Sequence, residues 1–296
     1  MRTSKLRCVA HGRMLRRSRF ASAAAQEGIP VEWTTGPGQM EQLARDAIEL
    51  GCERLLVAGG DGSLMEAAQA LRNTSTAMAV IPGGTGNDFA RTLGISQDPI
   101  QALRVAIDGE VKKSDVGVVT SQINGRAQQR IFINIAEVGF GADVVRRMNR
   151  YARYAGKRMA YPLSILSGLL TYKPCVVDLI VDGDPMHIPQ LTNLVIANAR
   201  YFGRGMMPAP DAEIDDGLFD VLLIQGMKRL EIARRFPELK NGPPPNDPHM
   251  QTFRCRSLTV EGLTGIEADG EILGCSPASF EIQDRSLSVV VGNQTA

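Results

Sequence analysis

Histidine is nearly absent from this sequence. The 296 residues include only His11, His187 and His249, no two of them close together. A histidine metal centre or a histidine-based triad therefore has no support. The five cysteines, Cys8, Cys52, Cys175, Cys255 and Cys275, are scattered, odd in number and never spaced as C-x-x-C. That argues against a disulfide framework and a thiolate zinc site, and it fits a reducing compartment. No apolar run approaches the roughly 20 residues that a membrane-spanning helix needs; the longest is YPLSILSGLL from Tyr161. Arg13, Arg16, Arg17 and Arg19 interrupt any N-terminal signal core, so a soluble, cytoplasmic protein is expected. The formal net charge is only +1, so bulk charge favours neither nucleic acid nor membrane, and no nucleic-acid partner is expected.

What is present is a rhythm. LRCVA from Leu6 and IPVEW from Ile29 read as strands, with a helix from about Met14 to Glu27 between them. QMEQLARDAIEL places Met40, Leu43, Ala44, Ala47 and Ile48 on one face at helical spacing, and Gly51 ends it. RLLVA and AMAVIP are buried strands, separated by a helix that buries Leu64, Ala67, Ala68 and Leu71. This alternation predicts an α/β domain with a mostly parallel sheet and flanking helices over residues 1–118. After about Asp115 short strands dominate, RIFINIA among them, punctuated by Asp182-Gly183, Asp216-Gly217 and Asp269-Gly270. Residues 119–296 are expected to form an all-β sandwich with a helical insert near 142–171, its last strand able to return to the first domain. KNGPPPNDPH, from Lys240, reads as a rigid exposed loop.

Two glycine turns follow successive strands: VAGGDGSLME from Val57 and IPGGTGNDFA from Ile81. A strand, glycines and then a helix present backbone N–H groups to an anion. In a parallel sheet both turns lie on one edge, where ligands bind. Each carries an aspartate, Asp61 or Asp88. Carboxylates repel phosphates unless a divalent cation lies between, and Mg²⁺ takes oxygen ligands. There is no G-x-x-x-x-G-K-[ST] loop, and no G-x-G-x-x-G follows a strand. Ser63-x-x-Glu66 and Thr85-x-x-Asp88 also match helix capping boxes. That leaves capping open for Glu66 and Asp88; it does not account for Asp61, which is expected to precede its helix. Asp269-Gly270 and Asp216-Gly217 likewise fit plain turns.

Taken together, GGDGSLME and PGGTGNDFARTLGI resemble the diacylglycerol kinase catalytic-domain family, in particular its bacterial YegS-like lipid kinases. FINIAEVGFGADV from Phe132, NARYFGRGMMPAPDAEIDDGLFDV from Asn198 and IEADGE ending at Glu271 continue the likeness in order. The resemblance implies a nucleotide domain, a β-sandwich, and ATP- and Mg²⁺-dependent phosphorylation of a lipid hydroxyl at a membrane surface. It implies nucleotide contacts from Thr34, from Gly59, Gly60, Asp61, Gly62, Ser63 and Glu66, and from Gly84, Thr85 and Asn87. Asp61, Asp88 and Asp115 would form an acidic network near Mg²⁺. Glu213, Asp216 and Leu218, the last through its backbone carbonyl, would hold a second metal. Asp269 and Glu271 would be catalytic, Glu271 as general base. Two departures stand out: Met65 replaces an asparagine, and AHGRMLRRS replaces the usual Asn-Pro-x-Ser-Gly after the first strand. An NAD-kinase-type soluble kinase and a degenerate lipid- or nucleotide-binding protein stay open, as does an oligomer. A basic segment, VVRRMNRYARYAGKRMAY from Val144, is expected to meet anionic lipid through Arg146, Arg147, Arg150, Arg153, Lys157 and Arg158.

Overall fold

A computed structural model describes residues 5–123 and 126–292. In the N-terminal part, strands β1 (Leu6–His11), β2 (Val31–Thr34), β3 (Arg54–Gly59) and β4 (Ala77–Pro82) pair in parallel in the order β2-β1-β3-β4. Helices α1 (Arg17–Gln26), α2 (Gln39–Glu49), α3 (Asp61–Leu71), α4 (Asp88–Thr92) and α5 (Pro99–Asp108) accompany them. All six residues of β4 are buried, as suits a parallel strand covered on both faces. Helix α5 was not anticipated above, although its start was legible. Pro99 opens it, and the Asp98 Oδ1 accepts the Ile100 N–H at 2.9 Å.

The remainder is antiparallel: β5 (Glu110–Ile123), β6 (Arg126–Phe132), β7 (Ile135–Gly139), β8 (Cys175–Val181), β9 (Asp184–Ala197), β10 (Phe219–Gln225), β11 (Met250–Cys255), β12 (Ser257–Glu261), β13 (Gly265–Ala268) and β14 (Glu271–Val291). Alternating inward residues such as Val177, Leu179, Leu258 and Val260 fill its core. The end of β14 pairs in parallel with β4, Val289 opposite Met78, so the two parts share one sheet. Helix α6 (Phe140–Thr171) leaves helical geometry at Gly156, at φ 71° and ψ 156°. Helix α7 (Arg229–Arg235) and a short 3-10 helix (Phe236–Asn241) pack beside it.

Two sequence expectations change. RIFINIA is two strands: the chain breaks at Ile133-Asn134, where backbone amides turn to the Asp269 carboxylate. KNGPPPNDPH is not wholly exposed, because Asp247 is buried and ion-paired with Arg235.

Candidate active site

Two backbone turns meet at the C-terminal edge of the parallel sheet. The Gly83 N–H donates to the Gly59 carbonyl at 2.8 Å. A Cβ on Gly84 would lie 2.5 Å from the Gly60 Cα, so this approach requires glycine. The loop after β1 closes over the second turn: the Leu15 N–H donates to the Gly83 carbonyl at 2.9 Å, and Met14 is buried against Gly83. That packing is what AHGRMLRRS supplies here.

Each glycine turn brings one carboxylate to this edge. Asp61 is the first residue of α3, and its Oδ1 accepts the Phe89 N–H of α4 at 3.1 Å. It does not precede its helix, and a carboxylate there suits the positive helix end. Asp88 opens α4. Its Oδ1 accepts the Gly205 N–H at 2.8 Å and its Oδ2 the Arg204 N–H at 2.9 Å. Burial pushes Asp88 above the usual carboxylate range; the Arg204 N–H opposes this and the Asp61 charge adds to it. Gly86 lies beside both: a Cβ there would stand 3.0 Å from Asp61 Oδ2 and 3.2 Å from Asp88 Oδ2. The missing side chain leaves a gap between two carboxylate oxygens.

A third carboxylate arrives from the far end of the chain. Asp269 and Gly270 form the two-residue turn between β13 and β14, both at positive φ. The Asp269 side chain accepts the N–H groups of Ile133 (2.7 Å), Asn134 (3.1 Å) and Ile135 (3.2 Å). Burial pushes its pKa up to about 7, against those three donors and with help from the Asp61 charge.

A cavity of about 440 Å³ begins at these carboxylates. Asp61, Thr85, Asp88 and Asp269 line one end. The rest of the lining includes apolar side chains, among them Phe140, Val144 and Met148 of α6 and Ile224, Met227 and Ile232, together with polar ones such as Glu137, Asn193 and Glu267. Such a space could hold a molecule with a polar head and an apolar body, its head against the carboxylates.

Comparison with known proteins identifies this arrangement. Residues 11–119 match the diacylglycerol kinase catalytic domain, and residues 134–291 match the YegS C-terminal NAD kinase beta sandwich-like domain. The chain belongs to the diacylglycerol kinase family of lipid kinases. A diacylglycerol kinase of Mycobacterium tuberculosis is 31% identical over 251 residues, 84% of this chain and 80% of that one. A protein of Chromohalobacter salexigens named as a YegS-like lipid kinase is 32% identical over 234 residues, 77% of this chain and 72% of its own. The fold is shared with a diacylglycerol kinase from Bacillus anthracis (TM-score 0.74, 18% identity, 99% and 98% of the two chains). It is shared more distantly with an NAD kinase from Archaeoglobus fulgidus in complex with ATP (TM-score 0.56, 15% identity, 98% and 94%).

The other residues that the lipid-kinase resemblance singled out divide by position. Thr34 is buried at the sheet edge, and its hydroxyl accepts the Gly12 N–H at 3.3 Å. Ser63 is buried within α3, and neither α3 nor α4 has a side-chain cap, so neither capping box forms. Glu66 is half-buried and Met65 is buried, the latter accepting a contact from Gln69 at 3.6 Å. Asn87 braces its own turn, accepting the Gly84 N–H at 2.8 Å and donating to Gln97 at 3.0 Å. Asp115 is not brought to the cavity lining. Its oxygens accept the Gly217 N–H at 2.7 Å and the Arg285 N–H at 2.6 Å, which brackets a loop to β14.

Glu271 occupies the exposed first position of β14, outside the cavity lining, whereas Asp269 lines it. Asp216 has its carboxylate on Arg254 and on the Leu218 N–H (3.0 Å), while Glu213 is exposed. Arg254 is shared between Asp216 and Asp220, and Asp211 and Glu213 lie close enough to help burial push Asp220 up to about 6, so this acidic cluster stands apart from the cavity. Sequence reasoning missed Glu137, Asn193 and Glu267 in the cavity wall. The available signal was a carboxylate inside each of two otherwise apolar strands, NIAEVG and GIEA.

Proposed function

We propose that the chain transfers the γ-phosphoryl group of ATP to the hydroxyl of a lipid whose apolar part lies in the 440 Å³ cavity. One observation carries this reading: Asp61, Asp88 and Asp269 stand at one end of a cavity whose wall includes apolar side chains of α6, β10 and α7. The nucleotide phosphates would lie on the glycine turns, over the N-terminus of α3. The acceptor oxygen forms a bond to the γ-phosphorus as the bond to the β,γ-bridging oxygen breaks, and ADP leaves with that electron pair. Asp269 takes the proton of the acceptor hydroxyl. It lines the cavity, and a pKa near 7 suits a base at neutral pH.

Asp61 and Asp88, whose Oδ2 atoms flank Gly86, would be the carboxylates that hold Mg²⁺. Among the described residues no group of three His, Cys, Asp or Glu side chains could hold a metal ion. This agrees with an ion completed by phosphate and water oxygens. When bound, the ion would neutralise phosphate charge.

A fold shared with an NAD kinase makes NAD the obvious rival acceptor; the apolar side chains of α6 and β10 in the wall favour a lipid. The test is transfer of labelled phosphate from ATP into a bacterial lipid extract and, separately, into NAD. Label is expected in the lipid fraction. Label in NAD alone overturns the reading, and label in neither supports a degenerate binding protein.

No helix among the described residues is long and apolar enough to cross a membrane, so the lipid must be met at a surface. The second half of α6 exposes Met159, Leu163, Leu166 and Leu170 at spacings of four, three and four, one helical face. Leu230 of α7 is exposed as well. Arg146, Arg150 and Arg153 are exposed on the first half. Arg147 is instead held by Asp143 and Thr171, and the side chains of Lys157 and Arg158 lie outside the described residues. We place the membrane on this stripe. Replacing Arg150 and Arg153 with Gln should remove about 2 kcal/mol of attraction to anionic lipid, roughly 30-fold in vesicle partitioning. Leu163, Leu166 and Leu170→Ser should weaken binding to zwitterionic vesicles as well. Sedimentation with both vesicle types, at low and high salt, reads this out; equal binding by all proteins places the membrane contact elsewhere.

A further inference from the structure

Glu137 of β7 and Glu267 of β13 are direct partners across an antiparallel pair. Like charges placed so are unfavourable, yet the two residues are only 6% and 2% exposed and their carboxyl groups hydrogen-bond to each other. That contact needs a proton between the two carboxyls, and burial raises the pKa of both. Its surroundings are specific. The Asn193 side chain donates to Glu137 Oε1 at 2.7 Å, and its own oxygen accepts the Gly141 N–H at 3.0 Å, which orients the amide. The Gly270 N–H donates to Glu267 Oε2 at 2.8 Å. A Cβ on Gly141 would collide with the Glu137 carboxyl, so glycine lets that carboxyl lie against the start of α6.

The pair could merely join two strands. Two neighbouring atoms point further. Thr192 Oγ1 and Asn134 Oδ1 are buried without a hydrogen-bond partner, in residues 1% and 4% exposed. Thr192, Asn134, Glu137, Asn193 and Glu267 all line the same cavity. Interiors leave few polar atoms unsatisfied, and these two lie where a ligand would sit. Glu137 and Asn134 offer acceptor oxygens and Thr192 a hydroxyl, so the set suits a hydrogen-bond donor and repels an anion. Glu267 and Asp269 are two positions apart, about 7 Å along the chain. A group on the pair would therefore be a near neighbour of the group on Asp269.

We propose that Glu137 and Glu267, with Thr192 and Asn134, read a second hydroxyl on the acceptor, so that the preferred lipid has a polyol head rather than a single free hydroxyl. This rests on the lipid-kinase reading above. Losing the hydroxyl leaves buried polar acceptors unpaired, and discrimination by such sites is large.

The experiment compares a monoacylglycerol, with two free hydroxyls, and a diacylglycerol of the same acyl chain in mixed micelles at saturating ATP. The wild type should favour the monoacylglycerol in kcat/KM. Glu137→Gln should lower that preference about 10–100-fold. Glu267→Gln, whose amide still donates to Glu137, should lower it less. Thermal melting confirms that each variant is folded, and the ratio cancels any loss common to both lipids. Equal loss on both lipids makes the pair structural and overturns the inference alone. So does a preference for a long-chain amino alcohol that Glu137→Gln abolishes, because the site would then read an ammonium. A wild type that phosphorylates none of these lipids overturns the lipid-kinase reading and this inference with it.

Discussion

Asp61→Asn is expected to lower kcat by at least about 10²–10³-fold while the protein stays folded. The estimate rests on the size of single electrostatic contributions in phosphoryl- and acyl-transfer sites. Asp61 is one of two carboxylates facing the gap over Gly86, and its other oxygen accepts the Phe89 N–H. Asparagine keeps an acceptor for that N–H and removes only the charge. A loss of about 1 kcal/mol at the helix end would move the melting temperature by roughly 2–4 °C. Wild-type turnover in a folded Asp61→Asn protein would remove Asp61 from the reaction.

The second large effect belongs to Asp269. A base must be ionised to work, and this carboxyl is protonated below about pH 7. Turnover should therefore rise with pH and level off above about 7. Asp269→Asn should lose that rising limb and about 10²–10⁴-fold in kcat. Glu271→Gln is the comparison, because the family resemblance points to Glu271 while the cavity contains Asp269. Full loss in Glu271→Gln beside an unchanged pH profile in Asp269→Asn moves the base to Glu271.

Stability supplies an independent reading of the same group. The folded pKa of about 7 lies above the ordinary 3.8, so the folded state holds the proton more tightly. Ionisation therefore favours unfolding, and stability should fall as pH rises from about 4 to 7. Part of that fall should vanish in Asp269→Asn; urea melts across this range measure it. A slope identical to wild type would show that Asp269 does not titrate as described.

Much of the site was readable from local pattern. Two strands of unbroken apolar residues, each ending in glycines and an aspartate, demand a parallel sheet and place Asp61 and Asp88 on one edge. Both facts follow from the path of successive strands. Local pattern also misled: Ser63 and Thr85 matched capping boxes, but the helices begin at Asp61 and Asp88, after the two turns that pack Gly60 against Gly84.

What lay beyond local reading depends on register between distant segments. RIFINIA has the composition of one strand, and its break at Asn134 is held by groups far away in the chain: the Asp269 carboxylate, some 135 residues on, and Asn198. Asp115 carries the same charge as Asp61, yet backbone amides from a remote loop and from β14 engage its oxygens away from the cavity. Glu137 and Glu267 meet because β7 and β13 pair in one register; a slip of one residue would turn them to opposite faces. Side chains alternate along a strand and turn sharply at its ends, so Asp269 lines the cavity while Glu271, two residues on, faces solvent. Glycine, charge and periodicity are properties of a segment, and the sequence by itself determined the glycine turns and the alternation of strands and helices. Which carboxylates share a proton, a donor or a cavity is a property of pairs brought together by folding, and only the tertiary structure decided it.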